Sequence, residues 1–416
     1  MSTNVENTLL IDNTLLCHKV VSNQEEYDYI VKKFCGDVSV FYSFDSKTYT
    51  IIGGLIYLCG DIEEIIANTN FNSSNLVNII KELSYNYENL SNYNLISVGE
   101  VPINIHNVGV FFRKMFTSDK DYFNNITNEH KFQKLGMGKT PGVAYRTGIY
   151  LTNVKDSEDG INFKLLRCST NLDGPTDNFR DTDNEIVSKV NDIGQYFFDD
   201  TFNLNHVLVQ TYHNTFYEGG KYKKERKAKI ATHSDKTKDM PKNAVIAFTT
   251  FYKDYYDGKF NIDGTNYKKS DSDPYDYFYK NISVLTKLRF KLKKEVTDET
   301  LVKNFDITLY PNSVFLMSLK TNRLYTHEIV PSVLSINQIP TRMGYVIRCS
   351  NTDGIYKDGQ TYISKDGENI KLEEPTKEGI DDLKGYYYKE NLTTEMVYYD
   401  NKFYFSMNEG DYKEPI

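Results

Sequence analysis

Lys229-Ile-Ala-Thr-His233-Ser-Asp235 carries a histidine and an aspartate two positions apart, at the end of a short strand-like run. Because side chains alternate along a β-strand, His233 and Asp235 point to the same side. One imidazole and one carboxylate can then bind the same metal ion. A chain with 7 His and 33 Asp is expected to contain about 0.6 such pairs by chance, so the pair needs support from elsewhere in the sequence.

A second histidine follows a later strand-like run. The apolar stretch from Val314 to Leu319 precedes the sequence Tyr325-Thr-His327-Glu. Two histidines and one carboxylate form the facial triad of non-haem Fe(II) sites, which leaves coordination positions open for oxygen chemistry. The sequence therefore predicts that His233, Asp235 and His327 bind one metal ion.

Two arginines follow the second histidine. Arg342 and Arg348 lie 15 and 21 residues after His327, and their even spacing of six places both on one face of a strand. Two guanidinium groups directed into a barrel are costly unless an anion pairs with them. A dicarboxylate cosubstrate would meet that need, since arginine binds a carboxylate through two parallel hydrogen bonds.

The pattern His233-x-Asp235 … His327 … Arg342-x5-Arg348 resembles the signature of Fe(II)/2-oxoglutarate-dependent dioxygenases. The arginine pair is most similar to that of the AlkB-like branch. In this family a double-stranded β-helix, or jelly roll, carries the triad that holds the iron. The resemblance implies that His233, Asp235 and His327 are the catalytic iron ligands, and that the chain uses Fe(II), 2-oxoglutarate and O2.

The resemblance covers about residues 205 to 350 and implies roles for three further side chains. Arg342 would bind the distal carboxylate of 2-oxoglutarate, with Arg348 near the carboxylate that chelates iron. The reverse assignment stays open, because Arg348-Cys-Ser350 also resembles the Arg-x-Ser of other branches. Tyr212 would contact 2-oxoglutarate, since Gln210-Thr-Tyr212 is the nearest match to the Asn-x-Tyr of AlkB-like proteins.

The sequence departs from the family pattern in two further places. The separation of Asp235 from His327 is 92 residues, which is long for the family and requires an insertion. Gly344 stands where AlkB-like proteins usually have a polar residue. Both departures bear on the substrate more than on the iron site.

The implied activity is hydroxylation or oxidative demethylation of a substrate C–H bond, with release of succinate and CO2. The substrate stays open among nucleic acid, a protein side chain and a small metabolite. The alternative is a non-catalytic β-barrel binding or scaffold protein, in which the HxD motif and the arginines form structural ion pairs. A hydrolytic metalloenzyme is a weaker third hypothesis, because no dedicated general base accompanies the triad. Only the oxygenase requires both histidines, Asp235 and an arginine to converge on one buried pocket.

Hydrophobic periodicity predicts an α+β chain whose many short strands form a sandwich, a barrel or a jelly roll. The resemblance implies that this core is a jelly-roll catalytic core. We expect an α/β region of unknown role at 1–135, an oxygenase domain at 136–353 with an insertion near 253–282, and a tyrosine-rich C-terminal extension at 354–416. A helix is predicted around Ile186 to Ile193. The predicted core strands are Val207–Tyr212, Lys229–Thr232, Val245–Tyr252, Val284–Leu292, Ser313–Leu319 and Tyr345–Cys349.

Two helices are predicted in the N-terminal region. Ser22-x-x-Glu25 has the spacing of a capping box before the first of them. The second is predicted to open after Ser73 or Ser74, because Leu76, Ile79, Ile80 and Leu83 recur at helical spacing. The three histidines His18, His106 and His130 have no acidic partner at a motif spacing, which favours structural or surface roles for them.

The charge balance limits the classes of partner. The 416 residues include 49 Lys and Arg and 57 Asp and Glu, for a net charge of -8. This argues against a protein held globally to nucleic acid or to an anionic membrane. A local nucleic-acid contact stays possible through Lys221–Lys229, where six of nine residues are cationic, although a solvated loop is the simpler interpretation.

Cysteine usage and hydropathy indicate where the protein works. The five cysteines are scattered and none has Cys-x-x-Cys spacing, as is typical of reduced thiols. No signal peptide is visible at the N-terminus, and no run of 18 apolar residues occurs. We expect an intracellular protein, cytoplasmic or nuclear, with no membrane partner.

Overall fold

The computed structural model describes residues 9, 12–44, 49–51, 54–134, 145–167, 172–217, 224–262, 267–365, 367–399 and 402–416. Within these ranges the chain is rich in strands and has few helices, which agrees with a mixed α and β architecture. The helices are α1 (Gln24–Lys33), α2 (Ile62–Asn68), α3 (Tyr122–Glu129), α4 (Asp181–Gly194), α5 (Leu319–Leu324) and α6 (Lys377–Leu392). None of these helices is long and apolar enough to cross a bilayer.

The N-terminal part of the chain builds a parallel sheet of its own. Five strands lie in the order β2-β1-β4-β6-β7, with all neighbours parallel, and β3 pairs with β5 beside it. The strands up to residue 134 are β1 (Thr14–His18), β2 (Asp37–Phe41), β3 (Tyr49–Ile51), β4 (Leu55–Asp61), β5 (Thr69–Phe71), β6 (Leu76–Tyr85), β7 (Asn94–Ile96), β8 (Pro102–Ile105), β9 (Gly109–Phe112) and β10 (Gln133–Lys134).

Two local predictions for this region were wrong. The side chain that caps α1 belongs to Asn23, which accepts the backbone N–H of Glu26, so the helix begins one residue later than the Ser22 capping box implies. The segment from Leu76 to Tyr85 is the strand β6 and not a helix. It lies between β4 and β7 with four consecutive residues buried, and a parallel strand covered on both faces has no polar alternation to reveal it.

The central part of the chain forms a large and a small antiparallel sheet. The large sheet has the order β10-β11-β15-β29-β19-β27-β9-β8, with β14 beside β11, and the small sheet has the order β18-β28-β25-β26. The strands are β11 (Tyr145–Thr152), β12 (Lys155–Ser157), β13 (Gly160–Leu165), β14 (Asp177–Asn178), β15 (His206–His213), β16 (Thr215–Tyr217), β17 (Lys224–Arg226), β18 (Ile230–His233), β19 (Val245–Tyr252), β20 (Tyr255–Tyr256), β21 (Lys259–Phe260), β22 (Lys268–Lys269), β23 (Tyr277–Tyr279), β24 (Ile282–Ser283), β25 (Lys287–Leu292), β26 (Asn304–Thr308), β27 (Ser313–Ser318), β28 (Tyr325–Val330) and β29 (Arg342–Arg348).

The chain passes back and forth between these two sheets. Between β15 and β29 the strands of the two sheets follow one another in the order β15 (large), β18 (small), β19 (large), β25 and β26 (small), β27 (large), β28 (small) and β29 (large). The strands β16 and β17, and β20 to β24, form separate small sheets between them. The predicted core strands all lie in these two sheets, and their observed bounds differ by up to three residues.

Aromatic side chains pack the two sheets against each other. Phe248 and Phe315 of the large sheet have their ring centroids 6.3 Å apart. Phe290 of the small sheet lies 5.6 Å from Phe315, and His327 of the small sheet lies 5.4 Å from Phe248. These contacts belong to one continuous apolar core, so a polar side chain at its edge is screened from water.

The remaining segments pack around this core. The strands β8 and β9 join the edge of the large sheet next to β27, so part of the N-terminal region continues that sheet. The predicted boundary between residues 135 and 136 lies outside the described residues. In the C-terminal part, β30 (Thr352–Lys357), β31 (Gln360–Lys365) and β32 (Glu368–Lys371) extend a sheet with β12 and β13, and α6 follows.

Candidate metal centre

The structure brings His233, Asp235 and His327 together. His233 ends β18 and lies opposite His327 of β28 in the strand register, with the two ring centroids 4.5 Å apart. The Nε2 atoms of His233 and His327 lie 3.5 and 3.7 Å from Oδ1 of Asp235. One potential ligand atom from each residue therefore falls within 4.8 Å of the other two, which is close enough for a single metal ion.

Asp235 is buried and uses its two oxygens differently. Oδ2 accepts a hydrogen bond from Nε of Arg348 at 3.0 Å and forms an ion pair with its Nη2 at 2.9 Å. Oδ1 faces the two imidazoles. Burial would raise the pKa of the Asp235 carboxyl, but the Arg348 guanidinium holds it well below its usual range. The side chain is therefore a carboxylate, the form in which it can bind a metal.

His327 is kept neutral by its surroundings. Its side chain is buried beside the rings of Phe248 and Phe290, whose centroids lie 5.4 and 5.8 Å from its own. Burial, reinforced by the neighbouring His233, lowers the pKa of His327 to about 3. A neutral imidazole keeps a lone pair on one ring nitrogen, as metal binding requires.

The hydrogen bond of His233 fixes which of its nitrogens can bind a metal. Nδ1 lies 2.9 Å from the carbonyl oxygen of Ala231, which can only accept, so Nδ1 carries a proton. In the neutral ring the lone pair is then on Nε2, directed at the Asp235 carboxylate oxygen 3.5 Å away. Two acceptors that face each other repel, and a cation bound by both would remove that repulsion. The donor set fits a metal ion.

Arg342 lies on the same strand as Arg348 and is buried without saturating its donors. Its guanidinium stacks over the ring of Tyr212 at 4.0 Å. Within the part of the chain that the structure describes, Nε and Nη2 of Arg342 have no hydrogen-bond partner. A buried guanidinium with two unpaired N–H groups is costly, and a carboxylate would satisfy both at once.

The strand register explains this arrangement. Arg342 is paired with Tyr212 on one side and Tyr252 on the other, whereas Arg348 is paired with His206 and Ile246. Paired residues of an antiparallel sheet point to the same face, so both arginines lie on the face that meets the small sheet.

Gly344 lies between the two arginines and leaves space beside Arg342. A Cβ atom at this position would lie 3.0 Å from Nη1 of Arg342 and 3.4 Å from Cε2 of Tyr212. A larger residue would therefore crowd the guanidinium. The same position lies 3.6 Å from Nη2, so the absence of a side chain leaves the unpaired edge of the Arg342 guanidinium uncrowded.

The sequence gives no indication of the residue that holds the backbone of Asp235. Asn322 of α5 accepts the Asp235 N–H at 2.8 Å through Oδ1 and donates from Nδ2 to the Asp235 carbonyl at 3.0 Å. Asn322 lies 87 residues from Asp235, so no motif spacing links the two. Its reciprocal pair of bonds fixes the main chain on which the carboxylate is mounted.

A second buried cluster lies outside the predicted site. His130 is placed between two carboxylates, with Nδ1 2.7 Å from Asp177 and Nε2 2.7 Å from Asp183. The second oxygen of Asp183 accepts the hydroxyl of Tyr345 at 2.8 Å. Burial opposes the charge, but the two carboxylates raise the pKa of His130 to about 9. His130 is thus paired with two carboxylates that are too distant in sequence for a motif search to find.

The basic segment Lys221–Lys229 is described only in part, since residues 221–223 lie outside the described ranges. Lys224 and Arg226 belong to β17, which pairs with β16. Lys227 donates to the carbonyl of Ser332 at 2.8 Å. Contact of this segment with nucleic acid stays a hypothesis.

The described cysteines fit the expectation of reduced thiols. Cys17, Cys35, Cys59 and Cys349 are buried and free, and Cys168 lies outside the described residues.

Comparisons with known proteins give little beyond this geometry. No family model matches the chain, and no curated protein matches it. Among solved structures, the chain is similar to one described as "The structure of OsALKBH1", with 12% sequence identity and a TM-score of 0.33. The match covers 58% of this chain and 97% of the other. A TM-score of this size does not establish a shared fold, so the chemistry of the site rests on its own residues.

Proposed function

We propose that the protein is an Fe(II)- and 2-oxoglutarate-dependent oxygenase that hydroxylates or oxidatively demethylates a substrate C–H bond. The observation that carries the proposal is the convergence of His233, Asp235 and His327 on one point, with Arg348 bound to the free side of the carboxylate. Two neutral imidazoles and one carboxylate form the ligand set of non-haem Fe(II) oxygenases.

The strand order supports a double-stranded β-helix as the core. Four strands of the large sheet, β15-β29-β19-β27, face the four strands β18-β28-β25-β26, and the chain alternates between them. The proposed metal ligands lie on the small sheet and just beyond it, and the two arginines lie on the large sheet. The site would thus lie at the interface of the two sheets, within the proposed oxygenase domain of residues 136–353.

Arg342 supports 2-oxoglutarate as the second part of the site. Its unpaired buried N–H groups are suited to the distal carboxylate, and the lack of a side chain at Gly344 leaves the guanidinium uncrowded. Tyr212 holds the guanidinium in place by stacking on it. The pairing of Arg348 with Asp235 favours Arg342 as the arginine that binds the distal carboxylate.

The remaining side chains prepare the site for this chemistry. Bound iron and 2-oxoglutarate would supply the oxidising power, with O2 as the oxidant and succinate and CO2 as products. Arg348 keeps the Asp235 carboxylate charged and oriented, and Phe248 and Phe290 exclude water from the inner side of His327. The substrate class stays open among nucleic acid, a protein side chain and a small metabolite.

The test is an anaerobic titration of metal-free protein with Fe(II) and then with 2-oxoglutarate. We expect the weak visible charge-transfer band of the iron chelate in the wild type and no band in His233→Ala. His106→Asn, which removes an exposed imidazole outside the site, is the matched control and should retain the band. Absence of the band in folded wild-type protein would contradict the proposal and favour a non-catalytic binding protein in which the triad is structural.

A further inference from the structure

The segment that carries Asp235 is held by the C-terminal helix α6 as well as by α5. The backbone N–H of Ser234 donates to Oδ1 of Asn391 at 2.8 Å, and that of Thr237 donates to Oε1 of Glu390 at 2.9 Å. The N–H of Asp235 between them is accepted by Asn322. Side chains from two helices thus accept three of the four amides between residues 234 and 237.

The helix α6 is itself tied to the body of the protein close to this segment. The buried Lys293 donates to the backbone carbonyls of Glu390 and Thr393 at 2.6 and 3.1 Å, where the last carbonyls of the helix need donors. Lys236 donates to the carbonyl of Tyr387 at 3.0 Å, and the Tyr387 hydroxyl donates to the carbonyl of Arg167 at 3.2 Å. These bonds fix the end of α6, and with it the side chains of Glu390 and Asn391 that accept the amides of Thr237 and Ser234.

The location of these bonds matters because Asp235 lies beyond the end of its strand. The strand β18 ends at His233, so the sheet ladder fixes the first histidine but not the residues after it. A metal ligand on such a segment must be positioned by hydrogen bonds from outside the sheet, and partners of this kind tune metal affinity. Asn391 and Glu390 supply two of them.

We infer that the C-terminal helix α6 is a component of the metal centre, and that Asn391 and Glu390 are positioning residues for Asp235. The inference rests on the proposed function, because it assigns them a role in holding a metal ligand. It gives the C-terminal extension a task that its sequence does not reveal, since Ser234 and Asn391 are 157 residues apart.

The experiment compares three variants of the full chain by titration with Co(II) under anaerobic conditions. Asn391→Leu keeps the approximate size of the side chain and removes the acceptor, whereas Asn391→Asp restores an acceptor oxygen. Tyr388→Ala alters an exposed side chain of the same helix and is the control. We expect at least about 10-fold weaker Co(II) binding and an altered visible Co(II) spectrum for Asn391→Leu, with recovery in Asn391→Asp.

The outcomes separate this inference from the proposed function. Wild-type affinity and spectrum in folded Asn391→Leu would overturn the role of α6 and leave the metal centre intact. A wild-type protein that binds no Co(II) or Fe(II) at the triad would overturn both. If Asn391→Leu does not fold, Asn391→Ala serves in its place, and hydrogen exchange of the Ser234 amide in the wild type gives a second measurement. Rapid exchange of that amide would contradict the inferred bond.

Discussion

Burial of Asp235 disfavours its negative charge, and the proposed metal binding requires that charge. Arg348 resolves the conflict by pairing with one oxygen and leaving the other for a metal. We predict that Asp235→Asn abolishes metal binding and also destabilises the fold by about 3 kcal/mol, because the buried Arg348 then loses its ion pair with Asp235. Denaturation by urea and metal titration of the same variant measure the two effects separately.

A double variant shows whether the loss of stability comes from Arg348 without the charge of Asp235. Asp235→Asn with Arg348→Met removes both charges, and it should regain part of the lost stability while metal binding stays absent. Equal stability of the single and double variants would contradict this account of the pair.

The proposed function gives Arg342 a different task from Arg348, and substitution by lysine tests the two tasks separately. Lysine keeps the charge but cannot form the two parallel bonds of a guanidinium with a carboxylate. We predict that Arg342→Lys raises the KM for 2-oxoglutarate about 10-fold or more and leaves the Kd for the metal unchanged. Arg348→Lys should instead weaken metal binding. The opposite pattern, measured by succinate release and by metal titration, would exchange the roles of the two arginines.

The sequence predicts the residues whose chemistry is local and not those that act across the fold. The even spacing of Arg342 and Arg348 is sufficient to place both on one face of a strand. Even spacing does not place His233 and Asp235 in the same way, because the strand ends at His233 and hydrogen bonds from outside the sheet position Asp235. Asn322 and Asn391 reach the same site from elements 87 and 157 residues away. An asparagine has no distinctive spacing, so only the folded chain reveals these two.

At the level of elements, predictions fail where tertiary burial replaces the expected periodicity. In β6 the apolar residues Leu76, Ile79, Ile80 and Leu83 have helical spacing, but the buried Val77 and Asn78 fill the gaps. A strand with neighbours on both sides and cover on both faces needs no alternation. The core strands β15, β19 and β27 were predicted because their apolar runs are short and bounded by turn residues.

The contact between α3, β14 and α4 depends on pH through His130. The imidazolium is held by Asp177 and Asp183, with Glu129, Arg180 and Tyr345 as the other charged or titratable groups nearby. Its pKa is about 9 in the folded protein and about 6.5 in an unfolded chain. The folded state therefore binds more protons between these values, so the free energy of unfolding falls as pH rises from about 6.5 to 9.

This stabilisation is fully present below about pH 6.5, and its size is at most about 3 kcal/mol. Urea denaturation at several pH values measures it. The control is His130→Gln, which is less stable at pH 6.5 and should show a shallower decline toward pH 9. Parallel pH profiles for the two proteins would assign the decline to other groups.

At the level of the whole molecule, the site is assembled from parts that are distant in the chain. The histidines come from the small sheet, the arginines from the large sheet, and the supports of Asp235 from α5 and α6. A metal with 2-oxoglutarate would connect the two sheets, because the metal ligands and Arg342 lie on opposite sides of the interface. Ligands that bind only this assembled state must stabilise the complete fold.

We therefore predict that Fe(II) and 2-oxoglutarate, added together without O2, raise the Tm of the protein. Each ligand at 100 times its Kd contributes about 2.7 kcal/mol, which corresponds to a shift of roughly 3 °C in a chain of this length. Asp235→Asn should lose the shifts from both ligands, since chelation of 2-oxoglutarate requires the metal, whereas Arg342→Ala should lose only the increment from 2-oxoglutarate. An equal 2-oxoglutarate shift with and without Fe(II) would place its binding site elsewhere, because a cosubstrate that chelates iron and contacts Arg342 must depend on both.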